Sequence, residues 1–331
     1  MKATPLLSVD NLHVRFPVKA GLLQRTVGQV KAVSGVSFTV NRGEAFGIVG
    51  ESGCGKTTVA RAILQLLKAT EGSITFDGKN ISALEGKQLA PFRRKVQAIF
   101  QDPYSSLNPR KTTLDIIGEP LRVHSLAEGD GIRKRIINLL EMCELPARFM
   151  ELYPHEMSGG QRQRVGIARA LAMEPELIVC DEAVSALDVS IQAQIINLLE
   201  RLRQELGLTY VFIGHDLSVV RHLCNRVAVM YLGRIMETAD SQTLFGDPQH
   251  PYTRALLDAV PEPDPMTEAN RHIEPLQGEV PNPSNPPDGC AFHTRCPLAE
   301  KRCRLNAPAL TPLTPGQSAA CWLIEQPISA V

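Results

Sequence analysis

Apolar and polar positions alternate over residues 6–16 and again over 30–40, with Leu12, Val14 and Phe16 in phase in the first stretch and Val36, Phe38 and Val40 in the second. Alternation with a period of two predicts two half-buried antiparallel strands, separated by a loop over 17–29. The pattern then changes. Ala45-Phe46-Gly47-Ile48-Val49 is continuously apolar, and so is Leu177-Ile178-Val179-Cys180. For the second of these, the lack of a polar face predicts a parallel strand covered on both sides. Shorter strands are predicted over 71–78, bounded by glycines and ending in a turn, over 96–100, over 209–213, and over 226–233, the last pairing as a hairpin with 234–237. From a Pro- and Ser-rich break at 102–109 to about residue 172 the apolar spacing is helical, as in Ile132, Ile136, Leu139 and Leu140. This reads as an all-helical insertion in an α/β domain. A long helix follows and ends near Gly207.

A chain of 331 residues with 44% hydrophobic content can bury a substantial core, as one large domain with something smaller or as two domains. Lys and Arg number 35, and Asp and Glu also 35, so the zero net charge gives no electrostatic reason to expect nucleic acid as a partner. The first residues, Met1-Lys2-Ala3-Thr4-Pro5-Leu6-Leu7-Ser8, are interrupted by polar side chains before a signal-peptide core forms, and no run of about eighteen apolar residues occurs. The expectation is a soluble, cytoplasmic chain.

The strongest chemical signal is Gly50-Glu51-Ser52-Gly53-Cys54-Gly55-Lys56-Thr57, followed by Thr58 and an apolar run. It predicts a strand, a phosphate loop and a helix. Glycines let the backbone turn its amides around an anion, the helix N-terminus adds partial positive charge, Lys56 can reach the β and γ phosphates, and Thr57 can ligate Mg²⁺. A chance glycine loop is the alternative, and the strand-loop-helix context argues against it. Asp181 and Glu182 end a buried strand, where open α/β sheets place ligands. Paired acids after a strand are usually a solvated turn, but a nucleotide-bound Mg²⁺ needs a carboxylate. His215 follows the strand over 209–213. Ser158-Gly159-Gly160-Gln161-Arg162-Gln163-Arg164 opens a helix, with Ser158 as N-cap and two glycines leaving amides exposed. Phe16 reads from periodicity alone as an ordinary core aromatic.

The order of the phosphate loop, Gln101, SGGQRQR (158–164), LIVCDE (177–182), SALD (185–188) and His215 resembles the nucleotide-binding subunit of an ABC transporter. The resemblance implies a P-loop NTPase core of RecA type with an antiparallel β subdomain and a helical subdomain over about 102–172. It implies roles by position. Residues 50–58 would be Walker A and Phe16 the aromatic that stacks on adenine. Gln101 would be the Q-loop glutamine, which senses Mg²⁺ and contacts membrane subunits. Asp181 would be the Walker B aspartate and Glu182 the base that polarises the attacking water. Asp188 would belong to the D-loop, His215 would hold the γ-phosphate, and Ser158, Gly160 and Gln161 would form the signature. One departure is visible: Ala183 stands where this subfamily usually has proline, which bears on loop stiffness and leaves the carboxylates intact.

A phosphoryl-transfer site needs charge stabilisation on both sides of the γ-phosphate, so a signature offered at Ser158 to a facing subunit implies a head-to-tail dimer with two ATP between its halves. QDPYSSLNPR (101–110), DEAVSALDVSIQAQIINLL (181–199), HPYTRALLDAVP (250–261) and GCAFHTRCP (289–297) narrow the resemblance to the oligopeptide and dipeptide permease branch, in its F-type ATPase subunit. That branch implies a paralogous ATPase in a heterodimer, two integral membrane permease subunits, a separate substrate-binding protein, and a peripheral place on the cytoplasmic face of the inner membrane. Relatives importing nickel or glutathione share much of the pattern. A soluble ABC ATPase acting on nucleic acid or ribosomes usually carries two cassettes, a long coiled coil or a basic face, and none is present here. A non-hydrolysing regulatory module would be favoured by loss of the base, yet Glu182 and His215 are both present.

Composition shifts at about residue 247, and fifteen of the twenty-four prolines lie in the last 85 residues. The expected division is an ATPase domain over 1–248 and an extension over 249–331. The extension is predicted not to be mainly helix or sheet, and it needs some other means of ordering. Cys54, Cys143, Cys180 and Cys224 lie singly, while Cys290, Cys296, Cys303 and Cys321 fall within the last 42 residues, with five, six and seventeen residues between them. In a reducing compartment such a cluster points to metal before disulfide. Zinc is one reading, with His293 able to replace a ligand, but the C-x₂₋₄-C spacing of structural zinc is absent. A [4Fe–4S] cluster suits cysteines without close pairs, and the permease branch is similar to proteins described as carrying one there.

Overall fold

The computed structural model describes residues 4–21, 25–102, 106–260, 276 and 278–324. They fall in two compact units. One comprises Met1–Leu6, Val40–Ala45 and Ala83–Gly214; the other comprises Leu7–Thr39, Phe46–Ser82 and His215–Val331. Along the chain the strands are β1 (Leu7–Ala20), β2 (Arg25–Val40), β3 (Ala45–Val49), β4 (Glu71–Phe76), β5 (Lys79–Asn80), β6 (Val96–Ile99), β7 (Leu177–Asp181), β8 (Thr209–Ile213), β9 (Arg226–Tyr231), β10 (Arg234–Asp240), β11 (Thr311–Thr314) and β12 (Gln317–Ala319).

In the unit that contains the phosphate loop, one sheet is antiparallel in the order β2-β1-β4-β5. Val9 stands opposite Ile74 and Leu7 opposite Phe76, which puts apolar side chains of both strands on one face. The alternating segments predicted in β1 and β2 are present, but both strands run well past them into the stretch expected as a loop. There β2 carries exposed positions on both faces, Val27 among them, so no alternation existed to be read. Backbone pairing, which is indifferent to side-chain polarity, extends the strands.

The same unit holds a second sheet in the order β11-β12-β10-β9-β3. β3 is parallel to β9, and β9 turns through Leu232 and Gly233 into β10 as the predicted hairpin. β12 then pairs antiparallel with β10, and β11 pairs with β12. Pro312 lies in β11, the edge strand, where a missing backbone donor is tolerated. The C-terminal region therefore adds strands to the sheet that carries β3.

Side chains complete its ordering. Glu237, fully buried on β10, accepts hydrogen bonds from the Gln249 and His250 backbone N–H groups and from Gln317 Nε2. His250 caps the helix Pro251–Asp258 by accepting from Tyr252 N–H at Nδ1, and burial pushes its pKa down to about 4, which keeps the imidazole neutral for that role. Tyr231, Tyr252 and Phe292 form a fully buried aromatic cluster with ring centroids 4.8–5.4 Å apart. Phe292→Ala is expected to cost roughly 3–5 kcal/mol, because the void would sit among rings that have no freedom to collapse. Urea denaturation monitored by circular dichroism measures it, and a loss below about 1 kcal/mol would show that the cluster contributes little.

In the other unit β6, β7 and β8 are parallel, with Ile99 opposite Cys180 and Asp181 opposite Ile213. The helices Thr113–Val123, Asp130–Met142 and Gly159–Leu171 pack on one another, the second through Ile132, Ile136, Leu139 and Leu140 as their spacing predicted. The long helix Val189–Leu206 ends at Gly207 in the left-handed conformation. Among the described residues, no helix is long and apolar enough to cross a membrane.

Candidate functional site

β3 is buried at all five positions and delivers the chain into the glycine loop at its C-terminal end. Gly50 and Gly55 have φ of 147° and 105°, and a Cβ on either would come within 2.1 Å of the Met230 carbonyl oxygen or 2.3 Å of that of Ala32. Both positions therefore demand glycine, and the loop backbone lies directly on its neighbours. The helix Lys56–Ile63 starts at Gly55 without a side-chain cap, and its N-terminus is the end of the helix that favours an anion. Ser52 and Gly53 are exposed; Thr57 and Thr58 are half-buried in the first turn.

Lys56 is buried, and its ammonium folds across the loop, donating to the Gly50 carbonyl at 2.7 Å and the Glu51 carbonyl at 3.0 Å. Its nitrogen also lies 3.8 Å from Cys54 Sγ. Burial pushes the Cys54 thiol up despite the neighbouring cation, so that cysteine is a packing group. Three further contacts hold the loop from outside. Gly233 N–H donates to the Cys54 carbonyl, Glu51 N–H donates to Tyr252 Oη at 3.0 Å, and the Glu51 carboxylate is gripped by both terminal nitrogens of Arg295 at 2.6 and 3.0 Å. In the same unit, Phe16 lies on β1 and is 38% exposed, which corrects its reading as a core aromatic. His215 is exposed, directly after β8.

The acidic pair is in the other unit. Asp181 ends β7 and is buried. Glu182 follows with φ of 51°, an unusual conformation for a side chain of its size, held by its N–H bond to the Ile213 carbonyl and by Ser185 N–H and Oγ donating to its own carbonyl. Ala183 is buried and its carbonyl accepts from Gln163 Nε2 at 2.7 Å. That tether holds the backbone at the position where proline was expected. Gln101 is exposed just after β6, and Asp188 is exposed at the start of Val189–Leu206. Residues 103–105 and Pro261, within stretches that carried the resemblance, lie outside the described residues.

Ser158 is the predicted N-cap. Its Oγ accepts from Gln161 N–H while Gln161 Oε1 accepts from Ser158 N–H, a reciprocal capping box. Gly160 is buried, which corrects the expectation of an exposed amide there: a Cβ would come 2.5 Å from Ile191 Cγ2, so its size serves helix packing. Arg162 and Arg164, which follow the Ser158 cap in sequence, are buried. Arg162 binds the Pro154 carbonyl, and Arg164 binds the Cys143 carbonyl and Glu144, holding that carboxyl below its usual range. Their charges are structural.

Near the C-terminus the four cysteines are neighbours, and burial pushes the thiols of Cys290, Cys296 and Cys321 up. Among the described residues, however, no group of three or more His, Cys, Asp or Glu side chains is placed to hold a metal ion. The iron–sulfur and zinc expectations for Cys290, Cys296, Cys303 and Cys321, with His293 as substitute ligand, are therefore not supported. Their premise was that nothing else could order the region. The aromatic cluster, the β12 pairing, Arg295 and a Trp322 Nε1 bond to the Asn306 carbonyl do so. His293 is turned to its own chain, with Nδ1 2.9 Å from the Cys290 carbonyl.

Residues 33–185 match the family described as ABC transporter, and residues 236–303 match the C-terminal region of oligopeptide/dipeptide transporters. The oligopeptide transport ATP-binding protein AppF of Bacillus subtilis is 51% identical over 319 residues, which cover 96% of this chain and 97% of AppF. Among solved structures, cbiO1 from Clostridium perfringens, part of the ABC transporter complex cbiONQ, superposes with a TM-score of 0.63 at 29% identity, over 73% of this chain and 91% of that one. The cassette MJ0796, in a dimeric post-hydrolysis state bound to ADP and Pi, gives a TM-score of 0.63 at 33% identity, over 71% and 98%.

Proposed function

Since the chain belongs to the ABC transporter family, we propose that it is the ATP-binding and ATP-hydrolysing subunit of an importer that takes di- and oligopeptides across the cytoplasmic membrane. The observation that carries this reading is the match along nearly the whole chain to a protein of oligopeptide transport, through the cassette and through the C-terminal region. Those two matched segments support a cassette followed by a C-terminal region, and the proposed division is an ATPase domain over 1–248 and an extension over 249–331.

In this reading residues 50–58 cradle the phosphates with backbone amides, and Lys56 exchanges its loop carbonyls for phosphate oxygens. Phe16, exposed on a strand, offers its ring to adenine. Thr57, Asp181 and Gln101 would hold Mg²⁺; a hydroxyl, a carboxylate and an amide oxygen are the hard donors that ion takes. Bound there, the ion would neutralise phosphate charge. Glu182 accepts a proton from the attacking water, and His215 donates to the γ-phosphate. Ser158, Gly160 and Gln161 present a helix N-terminus to a facing ATPase subunit, with Asp188 beside the shared interface, so that two ATP lie between paired subunits. The dimeric MJ0796 cassette supports that pairing. The facing subunit is a paralogue, and the pair docks peripherally on two membrane permease subunits, which receive cargo from a separate binding protein.

Affinity purification of the tagged chain from membranes tests the assembly. Two integral membrane proteins and a second ATPase are expected to co-purify; ribosomes or nucleic acid in their place would overturn the importer reading. Reconstituted into liposomes, the complex should raise its ATPase rate with peptide-loaded binding protein, and stimulation by nickel or glutathione alone would reassign the cargo.

A further inference from the structure

The C-terminal region grips the nucleotide loop at Glu51, and does so from two sides. Arg295 forms a two-bond fork with its carboxylate, and Tyr252 accepts its backbone N–H. Lys56 binds the carbonyl of the same residue. The Arg295 side chain is only 7% exposed and that of Glu51 25%, so the pair is partly buried and less screened by salt than a surface pair. The guanidinium also stands 5.9 Å over the Tyr231 ring, and that ring packs on Phe292 and Tyr252. Its backbone is fixed in turn: Arg295 N–H donates to the Phe292 carbonyl, and Cys290 N–H to the Cys303 carbonyl. The fork is thus aimed by the buried core of the C-terminal region.

Charge makes this contact consequential. Glu51 sits inside a loop whose work is to bind a polyanion, and an unpaired carboxylate there would repel the phosphates. A guanidinium fits the need better than an ammonium, because its planar fork neutralises the carboxylate and fixes its orientation together.

We propose that Arg295 is a positioning residue for nucleotide binding: by neutralising and orienting Glu51 it makes the C-terminal region a working part of the phosphate loop. The inference rests on the assignment of residues 50–58 as the nucleotide loop.

Binding of a fluorescent ATP analogue to the full-length chain, with ATPase assays in the assembled transporter, tests it. Arg295→Met is expected to weaken nucleotide affinity about tenfold and to raise KM similarly, with kcat at saturating ATP little changed. Adding Glu51→Gln to Arg295→Met should recover most of the affinity by removing the unpaired charge, and thermal melting without nucleotide that is alike in Arg295→Met and the double variant separates this recovery from a purely structural rescue. Arg295→Lys should fall between wild type and Arg295→Met, and it keeps the test open if Arg295→Met fails to fold. Unchanged affinity in Arg295→Met and Arg295→Lys, or a loss that Glu51→Gln leaves in place, overturns the inference. Full affinity in Lys56→Ala would instead refute the loop assignment beneath it.

Discussion

Glu182→Gln is expected to lower ATP turnover by about 10²- to 10⁴-fold while leaving nucleotide affinity close to wild type. Gln keeps the volume and one acceptor oxygen but does not take a proton from water at neutral pH, so it removes the proposed general base. The local structure makes this a clean substitution. The backbone of residue 182 is held by its N–H bond to the Ile213 carbonyl and by two donors from Ser185, and no backbone contact changes with the side chain. Phosphate release measured with the partner subunits carrying the same block in their own site, so that the paired site does not mask the loss, is the decisive assay. Near-normal hydrolysis would sink the assignment of Glu182 as base.

Lys56→Ala should fail at an earlier step. Its ammonium is buried and lies against the Gly50 and Glu51 carbonyls, so the cation is aimed across the loop. In the proposed site Lys56 would make two charge-assisted hydrogen bonds to phosphate, each contributing about 1.5–3 kcal/mol, which implies an affinity loss on the order of 10²-fold or more. Equilibrium binding of a fluorescent ATP analogue, with thermal melting in the presence and absence of ATP, separates lost binding from lost folding. A variant that melts like wild type without nucleotide and gains nothing from ATP is the expected result. Retained ATP stabilisation would remove Lys56 from the site.

How far the sequence could be read follows from the distance over which each feature is encoded. β3 and β7 are marked by uninterrupted apolar runs, and the Ser158 cap needs only three residues of context, so these were legible. The outer half of β2 was not, because exposed strand positions carry no alternation. The roles of Arg162 and Arg164 were not legible, since nothing local announces that the Pro154 and Cys143 carbonyls wait for them. The loop's outer brace lay furthest from view: Arg295 and Glu51 are separated by 244 positions. Counting cysteines drew attention to thiols in the very segment where an arginine and a phenylalanine supply the order. The quoted stretches HPYTRALLDAVP and GCAFHTRCP contained Tyr252, Phe292 and Arg295, yet only folding gives them one address.

The pairing of β12 with β10 also bears on how this protein can be handled and shortened. A polypeptide stopped before Thr311 would lose more than a decoration: β10 would stay paired with β9, but its other edge around Glu237 and Thr238 would lose β12 and become a template for another molecule's strand. Gln317 would leave with the deleted residues, stripping one of three donors from the fully buried Glu237 carboxylate. Expression trimmed to the conventional cassette would thus select for insolubility, and a purification handle is better joined beyond residue 324 than substituted for what precedes it.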